Sequence, residues 1–216
     1  ETPWCGLALG RLVAEHTDIP AGVFNVVTSS DPAIGELLTG EPRVDMVSFT
    51  GSTATGRRVM AAASANVTKV FLELGGKSAS IVLDDVVDFG LAAATAAFGT
   101  ATVAGQGCAL TTRVLLPRSR YEEGVDAIAE MMAAMTPGDP TDPGTMMGPL
   151  ISDRQWQRVN VYVRSAEADG ARVVCGGGRP SAIPDGHFFD MTLLADVTAD
   201  MAVASEEVFG PVLVAI

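Results

Sequence analysis

A cysteine flanked by glycines and a carboxylate closing an apolar strand are the side chains here best suited to covalent and acid–base chemistry. Gly105-Gln106-Gly107-Cys108 puts a thiol on a loop where glycines leave the sulfur accessible. Backbone N–H groups in such a loop stabilise a thiolate or a developing oxyanion. In Phe71-Leu72-Glu73-Leu74-Gly75-Gly76-Lys77 a lone carboxylate precedes two glycines. Apolar surroundings would raise its pKa and fit it for general-base work, while pairing with Lys77 or an arginine at a hinge is the structural alternative. A third segment, Phe49-Thr50-Gly51-Ser52-Thr53-Ala54-Thr55-Gly56, runs a strand through a Gly-Ser turn into a helix start. Free N–H groups and the positive end of the helix dipole suit a phosphate there, although Ser52 fits equally well as an ordinary N-cap. Cys5 and Cys175 read as small buried hydrophobes.

The elements that must carry these segments alternate between strand and helix. Thr2 and Pro3 open a helix whose positions Cys5, Ala8, Leu9, Leu12 and Val13 form one apolar face, expected to be buried and to end near Asp18. Val23 to Val27 reads as a short strand, and Asp31-Pro32 restarts a helix that Gly40 ends. Val44 to Phe49 is a strand, followed by a helix through Ala63 and strands at Val67 to Leu72 and Ser80 to Leu83. This alternation predicts an α/β fold with a parallel sheet. After the Gly75-Gly76 hinge come an Ala-rich helix from Asp88 to about Ala104, a strand at Arg113 to Leu116 and a helix from Tyr121 to Met135 with a Met-lined core face. Thr136 to Pro149 must be loop. Ser152 and Gln155 form a capping-box pattern ahead of a helix carrying Val159, Tyr162, Val163 and Ala166. Ala171 to Cys175 reads as a strand, Glu206 to Pro211 as strand-like and Val212 to Ile216 as a strand.

Composition removes whole classes of function. A length of 216 residues allows one large domain or two small ones, and 48% hydrophobic against 19% charged residues argues for a globular chain over a disordered one. Fourteen basic against 26 acidic residues leave a net charge of −12, which repels nucleic acid and anionic membrane surfaces. Phe89 to Thr112 is uncharged, but its Ala, Gly and Thr with Gln106 read as buried helix plus loop, not a membrane span. Three cysteines without framework spacing argue against a disulfide scaffold and for a reducing, cytoplasmic setting. His16 and His187 stand apart from other ligand types, so no metal site is indicated. Neither the start at Glu1, without Met or targeting signal, nor the abrupt strand at Ile216 looks like a natural end.

Together the segments resemble the NAD(P)-dependent aldehyde dehydrogenase superfamily. Phe49-Thr50-Gly51-Ser52 with Gly56, Leu72-Glu73-Leu74-Gly75-Gly76-Lys77, Gly105-Gln106-Gly107-Cys108 and Glu206-Glu207-Val208-Phe209-Gly210-Pro211 occur in that family's order and approximate spacing. Lesser matches at Pro20-Ala21-Gly22-Val23-Phe24-Asn25-Val26-Val27, Gly138-Asp139-Pro140, Met147-Gly148-Pro149-Leu150 and Asp169-Gly170-Ala171 extend the likeness over essentially the whole chain. The resemblance implies the C-terminal half of a Rossmann-like cofactor domain over residues 1–75 and most of an α/β catalytic domain over 76–216. It implies Cys108 as the nucleophile and Glu73 as the base that activates water. It further implies Gly51 and Ser52 as pyrophosphate contacts, Leu74 as a backbone contact near the nicotinamide amide, and Glu207 and Phe209 as contacts to the nicotinamide ribose and ring. The cofactor would be NAD or NADP, the substrate a small aldehyde, and the parent a homodimer or homotetramer.

Departures from the family pattern are Val103 where an Asn commonly precedes the nucleophile by five residues, Ser29 or Ser30 in place of a glycine, and Met191 in place of a proline. None is an expected catalytic side chain. The resemblance places further cofactor contacts before Glu1, so the polypeptide as written is expected to be inactive alone. A CoA-acylating semialdehyde dehydrogenase and a catalytically silent relative are the alternatives. Glu73 argues against the first, and retention of both Cys108 and Glu73 against the second.

Overall fold

Two sheets organise the chain, one in each of the units Glu1–Leu74 and Gly75–Ile216 of the computed structural model, which describes all 216 residues. The first unit contains α1 (Pro3–His16), α2 (Ala33–Gly40), β1 (Met46–Gly51), α3 (Thr53–Ser64) and β2 (Lys69–Leu74). β1 and β2 pair in parallel, with Thr50 opposite Glu73 and Gly51 opposite Leu74. α3 is the crossover of this βαβ unit, and its buried Gly56, Val59 and Ala63 follow the three-and-four spacing of one face. Gly56 is required there because a Cβ would strike the Leu74 side chain. Asp31 starts α2 as its sequence suggests, Oδ1 accepting from the Ala33 N–H at 2.9 Å.

Three expectations for this unit fail. No residue of α1 is buried, and Leu9 and Leu12 of its apolar face are half exposed. Gly6 and Gly10 are instead the positions that meet Val26, a stripe of small residues that hydrophobic spacing does not reveal. Val23 to Val27 is not a strand, since no neighbour offers it a ladder and β1 pairs only with β2. The second strand also starts later than its β-branched residues suggest, because Val67 is in the left-handed region at φ 56°.

The second unit carries β3 (Ala79–Ile81), α4 (Phe89–Ala101), β4 (Arg113–Leu115), α5 (Tyr121–Ala133), α6 (Asp153–Ala168), β5 (Arg172–Cys175), β6 (Thr192–Ala195), α7 (Ala202–Ser205) and β7 (Val212–Ala215). Its sheet runs β3-β4-β7-β6-β5, parallel except for the antiparallel edge β5. Every residue of β6 and β7 is buried, as parallel strands covered on both faces must be. Buried Thr192 is satisfied within β6, its hydroxyl donating to the Asp190 carbonyl at 2.8 Å and accepting from the Gly177 N–H at 2.9 Å. The uncharged stretch after Phe89 is buried helix plus loop, with Ala93, Ala96, Ala97 and Ala101 in the core, and no helix is long and apolar enough to cross a membrane. Met132 and Met135 fill core space.

Glu206 to Pro211 is a loop and not strand-like, because Phe209 takes φ 60° and interrupts any extended run before β7. β6 is a strand that the sequence pattern does not announce, lying between Met191 and Asp196 without flanking turn glycines. Phe189, 1% exposed and tilted on Trp156 at 5.6 Å between ring centroids, is the largest fully buried side chain. Phe189→Ala is expected to cost about 3–5 kcal/mol through lost transfer energy and a residual cavity, read as a lowered urea midpoint.

Candidate active site

In the first unit, four of the expected residues sit at one end of one sheet. Gly51 ends β1 and lies opposite Leu74, while Glu73 and Leu74 end β2. Ser52 caps α3, its hydroxyl accepting from the Thr55 N–H at 3.2 Å, so the capping reading of Ser52 holds. The remaining N–H groups of the first turn point past the cap, at the carboxyl end of two parallel strands, where α/β sheets bind ligands. Beside this helix a cleft of about 730 Å³ is lined by Val27, Pro32, Leu38, Phe49, Thr55 and Val59 among others. Glu73 is exposed and forms no ion pair within its unit. The apolar enclosure read from its neighbours in sequence is absent, because its side chain alternates to the open face of β2 while Leu72 and Leu74 turn to the other.

In the second unit the Cys108 loop and the Glu207 loop approach the sheet in the same way. Cys108 lies on a turn five residues before Arg113, which opens β4, and Glu207 stands five residues before Val212, which opens the adjacent parallel β7. Both loops therefore converge on the amino ends of neighbouring strands. They touch at Gly105, whose φ is 71° and where a Cβ would drive into the Gly210 carbonyl and the peptide nitrogen of Pro211. Gly210 is equally confined, with its Cα against Val159 of α6. Val103 and Ala104 also adopt left-handed φ values of 45° and 54°, costly for a β-branched residue, and they turn the chain sharply out of α4. Gln106 holds that turn at both ends of its amide: Nε2 donates to the Val103 carbonyl at 3.1 Å, and Oε1 accepts from the Ile151 N–H at 2.9 Å. Cys108 itself is exposed and free.

Helix α6 fixes the other loop through a polar stripe next to its apolar one. Gln155 Nε2 donates to the Val208 and Phe209 carbonyls at 3.2 and 2.6 Å. Arg158 donates to the Glu207 carbonyl at 2.7 Å, and the Tyr162 hydroxyl donates to Glu206 Oε2 at 2.6 Å. These bonds hold Phe209 in its left-handed conformation. Gln155 thus does not complete a capping box. Ser152 does accept from the Gln155 N–H at 3.2 Å, but the Gln155 amide reaches across to the loop. Residues 155, 158 and 162 share one helix face, so their spacing was a legible signal that the apolar pattern overshadowed.

The Glu207 carboxylate rests against Gly75, where any Cβ would collide with it, and its Oε1 is buried without a hydrogen-bond partner. Beyond it lie Lys77 and Arg113, both missed as site residues. Burial, then the Arg113 charge, push the Lys77 ammonium down to about 8 against a partial offset from Glu207.

Comparison with known proteins agrees with this arrangement. A sequence profile described as "Aldehyde dehydrogenase family" matches residues 1–216. The chain belongs to the aldehyde dehydrogenase family. It is 43% identical over 212 residues to betaine aldehyde dehydrogenase from Cereibacter sphaeroides, covering 98% of this chain and 43% of that protein. It is 40% identical over 207 residues to peroxisomal aminoaldehyde dehydrogenase 2 from Pisum sativum, covering 96% and 41%. Among solved structures, Mycobacterium tuberculosis aldehyde dehydrogenase complexed with NAD+ superposes with a TM-score of 0.93 at 46% identity, over 100% of this chain and 44% of that one. A cysteine-to-alanine variant of aldehyde dehydrogenase C from Pseudomonas syringae, complexed with NAD+ and octanal, gives 0.95 at 36% identity over 99% and 44%. The chain thus spans less than half the length of the aldehyde dehydrogenases it matches.

Gly105 is the position where this aldehyde dehydrogenase fold tolerates least. Gly105→Ala combines left-handed strain with a backbone collision and should destabilise the protein by about 3 kcal/mol or more. A lowered thermal midpoint, together with altered thiol-reagent kinetics at Cys108, checks it.

Proposed function

We propose that the protein containing this chain oxidises an aldehyde to a carboxylic acid with NAD or NADP, using Cys108 as nucleophile and Glu73 as general base. The observation that carries this reading is the backbone contact of Gly105 with Gly210, which anchors an exposed cysteine beside the Glu207–Phe209 loop within an aldehyde dehydrogenase fold. Residues 1–75 then serve as part of the cofactor domain and 76–216 as catalytic domain.

The residues present fit a dinucleotide. Gly51, with no room for a Cβ beside the Phe49 ring, and the N–H groups at the start of α3 suit the pyrophosphate, and the neighbouring apolar cleft suits a nucleoside. The buried, unpartnered Oε1 of Glu207 is an acceptor suited to a ribose hydroxyl, with Phe209 against the ring and Leu74 offering its backbone. When bound, the nicotinamide supplies a hydride acceptor.

Cys108 adds to the aldehyde carbon, and N–H groups of its glycine-rich loop stabilise the oxyanion of the thiohemiacetal. Loss of hydride leaves a thioester on Cys108. Glu73 takes a proton from water as that water attacks the thioester, and the thiolate departs with release of the acid. A thiol suits both halves of the cycle, since it is appreciably ionised near neutrality and leaves well. It must stay reduced, which favours a cytoplasmic setting, and the chain's cysteines are all free.

Rapid-mixing measurement of reduced nicotinamide on the full-length enzyme tests this with a short aldehyde panel and each cofactor. Cys108→Ala should lose at least about a thousandfold in kcat. Glu73→Gln should keep a stoichiometric burst and then slow by about a hundredfold or more. Turnover that depends on added CoA would instead indicate the acylating alternative, and silence with every aldehyde and both cofactors a non-catalytic relative.

A further inference from the structure

The buried side-chain nitrogen and oxygen atoms left without a hydrogen bond in this structure are Lys77 Nζ, Arg113 Nε and Glu207 Oε1, and Lys77 feels the charge of both the others. Native folds rarely leave such atoms orphaned, and three in one place mark a site under constraint. The chain has only two lysines, against twelve arginines, and it spends one of them here. Lys69 is exposed, whereas Lys77 is 8% exposed, far below the usual exposure of lysine.

Topology explains how the three meet. Arg113 opens β4 opposite Ala79 of β3, two residues after Lys77, and its other neighbour is β7, which the Glu207 loop enters. One Arg113 nitrogen, Nη1, donates to the Ala204 carbonyl at 3.2 Å, which ties the guanidinium to α7. Arg158 of α6 occupies the Glu207 backbone carbonyl and leaves the carboxylate to the cluster. Lys77 therefore lies within the electrostatic reach of both Arg113 and half-buried Glu207, and Gly75 forms a wall beside the Glu207 carboxylate.

We propose that Lys77 is a positioning residue that, with Arg113, keeps the Glu207 carboxylate against Gly75 with one oxygen free to accept a ribose hydroxyl. This rests on the reading of Glu207 as the nicotinamide ribose contact. An excess of positive charge in a low-dielectric pocket limits where a neighbouring carboxylate rests. The charge count also separates positioning from stability. Lys77→Met leaves Arg113 and Glu207 as a neutral pair, so the variant should fold with an unchanged or higher thermal midpoint.

Two measurements test the proposal. The first follows the side-chain signals of ¹³C-labelled lysine in the 216-residue chain, which shows only Lys69, as an exposed reference, and Lys77. Lys77 should titrate below the ordinary lysine range, and Glu207→Gln should lower it further by removing the one attractive charge. A Lys77 signal that ignores Glu207→Gln overturns the proposal. The second measures the full-length enzyme, in which Lys77→Met should raise the dinucleotide KM about tenfold with the aldehyde KM unchanged. Lys77→Arg should restore most of that affinity, and Lys77→Met/Glu207→Gln should be no worse than Glu207→Gln alone. Additive effects overturn the proposal. If Glu207→Gln alone leaves the dinucleotide KM unchanged, the ribose reading of Glu207 fails, while a Lys77 titration that still responds upholds the positioning.

Discussion

The approach of Gly105 to the Gly210 carbonyl is the contact on which the second unit depends. Two loops that enter neighbouring strands could diverge freely, and the absence of a Cβ at Gly105 lets their backbones touch, while its absence at Gly210 lets that loop pack against Val159 of α6. That contact brings a run of left-handed residues with it, since the chain must leave α4 and double back within residues 103–105. Strain of this kind survives only when neighbouring groups over-determine it, and the Gln106 amide does so by bonding to Val103 on one side and Ile151 on the other.

Helix α6 extends the same logic to the second loop. Its apolar stripe, Val159, Val163 and Ala166, goes into the core, and its polar stripe reaches three successive carbonyls of Glu207, Val208 and Phe209. One element thus sets both the depth of the loop and the conformation of Phe209. The two units use opposite ends of their strands, with Gly51 and Glu73–Leu74 at carboxyl ends and the Cys108 and Glu207 loops at amino ends. Residues 75–78 join the carboxyl end of β2 to the amino end of β3.

Much of the fold was legible in the sequence because strand and helix alternate with clear caps. Ser52, Asp31, Asp88 and Ser152 all act as hydroxyl or carboxylate caps or Asx turns where their positions suggest. The uncharged alanine helix read correctly for the same reason, since its Ala, Gly and Thr cannot replace a long apolar span. What was not legible depends on partners distant in sequence. Val23 to Val27 has a strand's composition but no ladder neighbour, and Glu206 to Pro211 looks extended until Phe209 turns left-handed. The α1 face looked buried because periodicity reports amphipathicity without saying what covers it. Among candidate site residues, Cys108 and Glu73 stood out by setting, but Lys77, Arg113, Gln155 and Arg158 did not, because their roles are set by where Glu207 and its loop fold back.

The proposed function requires a covalent intermediate on one sulfur. Glu73→Gln full-length enzyme, mixed with aldehyde and NAD, quenched in acid and digested, should carry the acyl mass on the peptide containing Cys108, at close to one equivalent per active site. An unmodified Cys108 peptide after a full burst of reduced nicotinamide, or acyl mass on Cys5 or Cys175, would contradict Cys108 as the nucleophile.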